Sequence, residues 1–294
     1  MPPSLLPPML LDKCKALYRL PLCDVVSIVR NKISPVRVSP LERIAASKAM
    51  QPARPWEFLV KYETILARAR GWEPLDFRGR HVLELGCGPL LGFLPLAVFR
   101  GAARCTAVEP GFNPGVLGHG PIVEGYFRPM WHLLGLLYGP GPTFEAFMAA
   151  LGAVDVRPVP ILEAGDAAGV DVVLSNSCLE HVSPLEASLT RVRAWCAPGV
   201  RWLHLVNFSN HLRTRDPFKG IYAMEPERYR RTVGGGLNLL RCPDVGAALA
   251  AAGFAGGVTP MDASRVFESG PVHPWWREHY GADDLAVRTA LFSG

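Results

Sequence analysis

The sequence predicts an α/β protein built on a doubly wound, mostly parallel sheet, and three observations carry that prediction. The first is the stretch from His81 to Glu109, HVLELGCGPLLGFLPLAVFRGAARCTAVE, which reads as apolar strand, glycine turn, apolar helix, second strand and terminal acid. The second is VDVVLSNS over 170–177, another apolar run that ends in small polar residues and leads into a helical pattern. The third is the continued alternation of such runs with helical segments toward the C-terminus, a pattern of βα units.

Composition is compatible with this class and removes several others. The 294 residues, 49% hydrophobic and 19% charged, suffice for a large core in one or two domains. No apolar run reaches the 18 residues or so that a membrane span needs, and prolines and charges interrupt the N-terminal MPPSLLPPMLLDKCK, so neither a spanning helix nor a secretory leader is expected. Cytoplasmic placement follows as the expectation. The seven cysteines (14, 23, 87, 105, 178, 196 and 242) form no C-x-x-C pair and read as reduced thiols rather than a zinc or disulfide framework. The net charge of +5 is concentrated in residues 1–50, with eight Lys or Arg against three acids. Such a segment reads as a solvated helical face, or as one that touches an anionic surface or partner. No basic, aromatic-rich surface points to nucleic acid.

Taken in order, residues 1–76 read as an N-terminal helical extension or cap. It holds short amphipathic pieces at Met9 to Leu20 and Asp24 to Val29, and a firmer helix from Pro55 to Arg70. In that helix Pro55 suits the first turn, and Trp56, Leu59, Tyr62, Ile65, Leu66 and Ala69 recur at helical spacing. The main domain, 77–294, opens after the Gly71 to Gly79 connection with a strand at 81–85 and a turn at Gly86-Cys87-Gly88. A helix from Leu90 to Phe99 and a strand from Cys105 to Val108 follow. Glycines allow the sharp turn and a close approach of the backbone to a ligand, and an acid about 20 residues on is placed to accept two ribose hydroxyls. The unit is therefore a nucleoside site. Its spacing departs from G-x-G-x-x-G, because Pro89 follows Gly88 and the next glycine is Gly92; no Lys-Ser/Thr makes it a P-loop.

Residues 111–152 are rich in glycine, proline and aromatics, with an apolar piece near Tyr126 to Tyr138 and a helix from Thr143 to Leu151. They read as an insertion between strands two and three, either a substrate lid lined by Tyr126, Phe127, Trp131, His132 and Tyr138 or a local minicore. Strand three falls within Val154 to Ile161, broken by Pro158 and Pro160, and Asp166 follows. Strand four, Val170 to Leu174, ends at Ser175 and Asn176, which either cap the strand or contact a ligand at the switch point. After Leu179-Glu180-His181-Val182, Ser183 and Pro184 are expected at N-cap and N1 of a helix from Leu185 to Cys196. Ala197-Pro198-Gly199 turns into strand five, Arg201 to Phe208, on whose surface His204 alternates, and Ser209-Asn210-His211 follows. A helix from Asp244 to Ala252 and strands Gly257 to Met261 and Leu285 to Phe292 complete the chain.

Glu84-Leu85-Gly86-Cys87-Gly88-Pro89, Glu109, the run from Val170 to Val182, Ala197-Pro198-Gly199, Gly253-Phe254 and Asp283-Asp284-Leu285 occur in that order. Together they resemble the class I S-adenosylmethionine-dependent methyltransferases over residues 77–294, with Val200 in place of the second glycine of the Pro-Gly-Gly turn. The resemblance implies a seven-stranded sheet with strand seven antiparallel and helices on both faces. It also implies S-adenosylmethionine as cofactor, S-adenosylhomocysteine as product, and a small-molecule acceptor; oxygen is taken as the methylated atom because it is the commonest, no residue selecting it over nitrogen, sulfur or carbon. It places the cofactor against Glu84, Gly86, Cys87, Gly88, Glu109, Asp166, Ser175 and Asn176. His181, Glu180 and His211 become the catalytic candidates, and Trp56, Tyr62, Tyr126, Trp131 and His132 the acceptor candidates. Some relatives hold a divalent metal with a glutamate–histidine pair at this point, a further acid and a later histidine. Here Ser177 stands where that acid would fall, and no metal site is expected. Two other readings go with the resemblance: a metal-assisted enzyme acting on a phosphorylated or RNA-end substrate, and a non-catalytic cofactor-binding partner subunit.

Overall fold

A computed structural model describes residues 39–68, 76–211, 216–233 and 236–294. The pieces at 9–20 and 24–29, most of the basic N-terminal segment, Ala69 and most of the 71–79 connection lie outside the described residues. Seven strands form one sheet: β1 (His81–Leu85), β2 (Arg104–Val108), β3 (Asp155–Arg157), β4 (Val170–Asn176), β5 (Cys196–Asn207), β6 (Gly257–Ala263) and β7 (Val287–Ser293). Their order is β3-β2-β1-β4-β5-β7-β6. Strands β1 to β5 pair in parallel, while β7 runs antiparallel to both β5 and β6. The expected doubly wound, seven-stranded sheet with an antiparallel strand seven is the one observed. The direction in which successive strands are added reverses between β1 and β4, and ligands of such sheets bind at the carboxyl ends beside that switch.

The sheet is buried on both faces, as a parallel sheet must be. Along β1, Val82 faces one core with Leu174 and Leu205, while Leu83 and Leu85 face the other with Val173 and Val206. The first face is covered by α1 (Pro40–Ala45), α2 (Arg54–Arg68), α3 (Leu94–Phe99) and the 111–152 segment. That segment supplies α4 (Arg128–Tyr138) and α5 (Phe144–Gly152). The second face is covered by α6 (Leu185–Trp195) and α8 (Cys242–Ala251), which pack on each other, while α7 (Pro226–Thr232), between them in the chain, joins the third core below. A third, smaller core gathers Phe218, Tyr222, Tyr229, Phe267 and Trp276. It also draws on α9 (Pro274–His279) and α10 (Ala282–Ala286). Buried Arg241 pins this core to the sheet, donating from Nη1 to the Phe208 carbonyl at 3.0 Å and to the Tyr222 hydroxyl at 3.2 Å.

Several boundaries differ from the sequence expectation, each for a local reason. The helix after β1 begins at Leu94 rather than Leu90, because Leu91 and Gly92 have φ of 63° and 47°, outside helical space. Strand three is three residues long, since Pro158 and Pro160 carry no amide hydrogen to extend a ladder. Strand five starts at Cys196, before the Ala-Pro-Gly turn, and the last strand starts at Val287, because 282–286 are helical. Pro184, not Ser183, stands at the N-cap of α6. His204 is fully buried rather than on a surface, with its Nδ1 2.8 Å from Ser175 Oγ and its ring beside Trp202 and Phe254.

Candidate functional site

A cavity of about 900 Å³ opens at the carboxyl ends of β1, β2 and β4. The turn after β1 supplies Gly86, Cys87 and Gly88 to its wall. At Gly86 φ is 69°, and a Cβ there would stand 2.6 Å from Cys178 Sγ, so a side chain is excluded by both strain and space. That is why the chain after β4 can press against the turn. Glu84, at the end of β1, is fully buried and accepts the Phe93 amide at both oxygens, 3.1 and 2.9 Å. Burial pushes its carboxyl up to about 8 against the opposing amides of Phe93 and Leu94, and Glu109 adds to the rise.

Glu109 ends β2 and ties two turns together. Its Oε2 accepts the Gly88 amide and its Oε1 the Gly111 amide, each at 2.9 Å. A carboxylate offers about four lone-pair positions, so one on each oxygen stays available for a ligand hydroxyl. Ile161, Leu162 and Glu163, in the turn after β3, and Asn176, Ser177 and Cys178, after β4, continue the wall. Burial raises the Cys87 and Cys178 thiols far above their ordinary range, so both stay protonated. A different part of the wall comes from outside the sheet. Ala49, Phe58 and Tyr62 precede β1, and Tyr126 comes from the 111–152 segment. The Phe58 and Tyr62 rings stack at 6.0 Å, and Phe58 meets Tyr126 edge-on at 6.3 Å. Among the described residues no lysine or arginine lines the cavity; its charged and titratable lining is Glu84, Glu109, Glu163 and His181, besides Tyr and Cys.

His181 brings a second group to the cavity edge. Glu180, 3% exposed, lies behind it, and His211 Nε2 stands 3.6 Å from Glu180 Oε1. The two imidazoles meet edge-on, 4.9 Å between centroids. Burial pushes the Glu180 carboxyl up to about 8, opposed by the amides of Glu180 and Asn207 and by the charge of Lys61. Burial, then the neighbouring His181, lowers the pKa of His211. The turn is clamped from 236–238: the Asn238 amide donates to the Glu180 carbonyl at 2.8 Å, and Asn238 Nδ2 donates to the carbonyls of Leu179 and Val182.

The cavity thus brings together Glu84, Gly86, Cys87, Gly88, Glu109, Asn176, His181, Tyr62 and Tyr126. Seven other candidates lie elsewhere. Asp166 is turned outward, 86% exposed beside Arg191, and the adjacent turn presents Leu162 and Glu163 instead. Ser175 is buried against His204 and reaches no ligand space. Trp56 is 48% exposed on the outer side of α2. Trp131 and His132 line a separate hollow of about 510 Å³ with Phe99 and Gly141, where the Trp131 indole donates to the Pro142 carbonyl. Glu180 and His211 stand behind His181 rather than in the wall. Ala49, Leu162, Glu163 and Cys178 carried no sequence signal; Phe58 did, lying one helical turn before Tyr62.

No family model matches the chain, and no curated protein matches it. The chain is similar in fold to solved S-adenosylmethionine-dependent methyltransferases. One, from Mesorhizobium loti, is 14% identical over 74% of this chain and 92% of that one, with a TM-score of 0.43. An O-methyltransferase family protein from Burkholderia thailandensis is 15% identical over 98% and 70%, with a TM-score of 0.43. The geranyl diphosphate C-methyltransferase of Streptomyces coelicolor, solved with Mg2+, geranyl diphosphate and S-adenosylhomocysteine, is 12% identical over 99% and 98%, with a TM-score of 0.45.

Proposed function

We propose that this chain is an S-adenosylmethionine-dependent methyltransferase that methylates a small, unphosphorylated acceptor at oxygen. The observation that carries the reading is Glu109, held by the amides of Gly88 and Gly111 with one acceptor position per oxygen still facing a nucleoside-sized cavity. When bound, the cofactor supplies an electrophilic methyl group on sulfonium, which leaves by in-line displacement. The protein's share is placement. Glu109 holds the ribose hydroxyls, the Gly86–Gly88 backbone lies along the methionine and ribose portions, and Glu84 orders the methionine end. Leu162 and Glu163 take the place beside the base that the sequence reading gave to Asp166.

Ala49, Phe58, Tyr62 and Tyr126 form the acceptor side, an apolar surface with two phenolic hydroxyls. A phosphorylated or RNA-end acceptor finds no cationic side chain there among the described residues. His181, the one member of the Glu180, His181 and His211 group that lines the cavity, lies on the acceptor proton's way out to solvent. Calorimetric titration with S-adenosylmethionine and S-adenosylhomocysteine tests the cofactor assignment, and absence of binding to both ends it. Transfer of labelled methyl to a panel of phenols, carboxylates and amines tests the acceptor atom; label on amines alone overturns oxygen.

A further inference from the structure

We propose that Glu180, His181 and His211 bind one divalent transition ion of the zinc class, with coordination positions left open on the cavity side. Both carboxylate oxygens of Glu180 are buried without a hydrogen-bond partner, and His211 Nε2 at 3.6 Å lies outside hydrogen-bond range. A buried carboxyl is hydrogen-bonded when neutral and paired or metal-bound when charged; Glu180 has neither kind of partner, and a bound cation would supply the charge that burial otherwise denies it. One ligand atom from each of the three residues lies within 4.8 Å of the other two. Bonds of about 2.1 Å would set those atoms roughly 3 to 3.5 Å apart, a closure within reach of rotation about the side chains of the two exposed histidines.

The surroundings are built for the same task. His181 Nδ1 lies 3.1 Å from the Gly236 carbonyl, which can only accept. Nδ1 therefore carries the proton, and the Nε2 lone pair is free. This is the outer-shell arrangement that orients a metal-binding imidazole. His211 and Ser177 have φ of 56° and 55°, the left-handed region that non-glycine residues avoid. Two such residues, one directly after β4 and one four residues after the adjacent β5, mark strain in the two segments that leave these strands, as at ligand-binding sites. Two imidazoles with one carboxylate favour zinc or cobalt over magnesium or calcium, and three protein ligands are the number found in zinc sites that keep a position for substrate.

The use of the ion in methyl transfer rests on the function proposed above; the site itself does not. An acceptor hydroxyl ligated to the ion loses its proton to solvent near neutral pH. Its oxygen then bonds to the methyl carbon, while the carbon–sulfur bond breaks with its electron pair kept by sulfur. Chelator-stripped full-length protein titrated with Co2+ is expected to take up one equivalent with a visible ligand-field band, and zinc to displace it. Glu180→Gln and His211→Ala are each expected to weaken binding by more than the 10–100-fold or so that loss of an outer-shell partner costs. Absence of a saturable band, or undiminished affinity in Glu180→Gln, overturns the proposal. If Glu180→Gln fails to fold, the exposed His211→Ala decides by the same criterion. Titration of the metal-free protein with S-adenosylhomocysteine separates the two readings. Cofactor binding without cobalt binding removes the metal site alone, and the reverse removes the methyltransferase reading alone.

Discussion

Replacement of Glu109 by alanine is expected to weaken S-adenosylhomocysteine binding by about 100-fold while leaving the fold intact. Each Glu109 oxygen spends one acceptor position on a backbone amide, Gly88 or Gly111, and so is held where its second position can meet a ribose hydroxyl. Hydrogen bonds to a charged group contribute roughly 1.5 to 3 kcal/mol each. Glu109 is half-exposed, so solvent competes and the lower end applies. Two bonds at that level make about 3 kcal/mol, and each 1.4 kcal/mol or so is a factor of ten in Kd. The alanine variant also frees the two amides, which are near enough to solvent to be hydrated, so the loss of stability should stay near 1 to 2 kcal/mol. Calorimetric titration at a temperature well below the midpoint of thermal unfolding separates the two effects. An affinity within about threefold of the wild type, in a folded variant, would refute the ribose assignment, because less than 1 kcal/mol would then be missing.

Gly86→Ala is expected to destabilise the protein by about 2 kcal/mol or more, since it adds strain at positive φ to a contact with Cys178 Sγ; urea unfolding measures it. Pairing the change with Cys178→Ala should recover little of that loss, because the Cβ at 178 would still stand 2.7 Å away. His204 is buried and its pKa is pushed down to about 3 by that burial. The folded state therefore binds fewer protons than the unfolded state between roughly pH 3 and 6.5, and stability is present above that window and falls as pH drops through it. His204→Phe should flatten the acid limb of the stability profile, and an unchanged limb would contradict the burial argument. Tyr126→Ala is expected to raise acceptor KM with little change in cofactor Kd, whereas Trp131→Ala should leave both unchanged, because its indole faces the separate hollow.

The sheet and the part of the cavity wall at the ends of β1 and β2 were legible in sequence because their chemistry sits at fixed positions along the chain. A turn from β1 that must accept a positive φ needs glycine, and an acid at the end of β2 lies opposite it by sheet geometry. The acceptor side was legible only in part. From the turn before α4 through that helix, Tyr126, Met130 and Leu134 are buried at four-residue spacing, with Phe127 beside Tyr126. Trp131 and His132 are therefore rotated away from the cavity, which counting aromatics could not show but helical phase could. Asp166 failed because a compact turn at 160–164 brings Leu162 and Glu163 to the wall, leaving the loop that carries Asp166 outside. The state of Glu180 has no local signal at all. The surroundings of this carboxyl are set largely by residues distant in sequence, here Lys61, Asn207 and His211.

The five residues Val123–Phe127 form a π turn, running directly into α4. A π turn holds one residue more than the α turn it interrupts, and such bulges cluster at functional sites. Everything on its two sides is thus offset by about 100° relative to an uninterrupted helix of the same length. Loss of one codon in this stretch would leave a continuous helix with its register restored and would swing Tyr126 off its present heading, with the sheet and the nucleoside turns untouched. The shape of this part of the cavity wall hangs on chain length at one point as much as on side-chain identity. A single-residue indel there would reshape the wall, a change that comparison of substitutions alone would pass over.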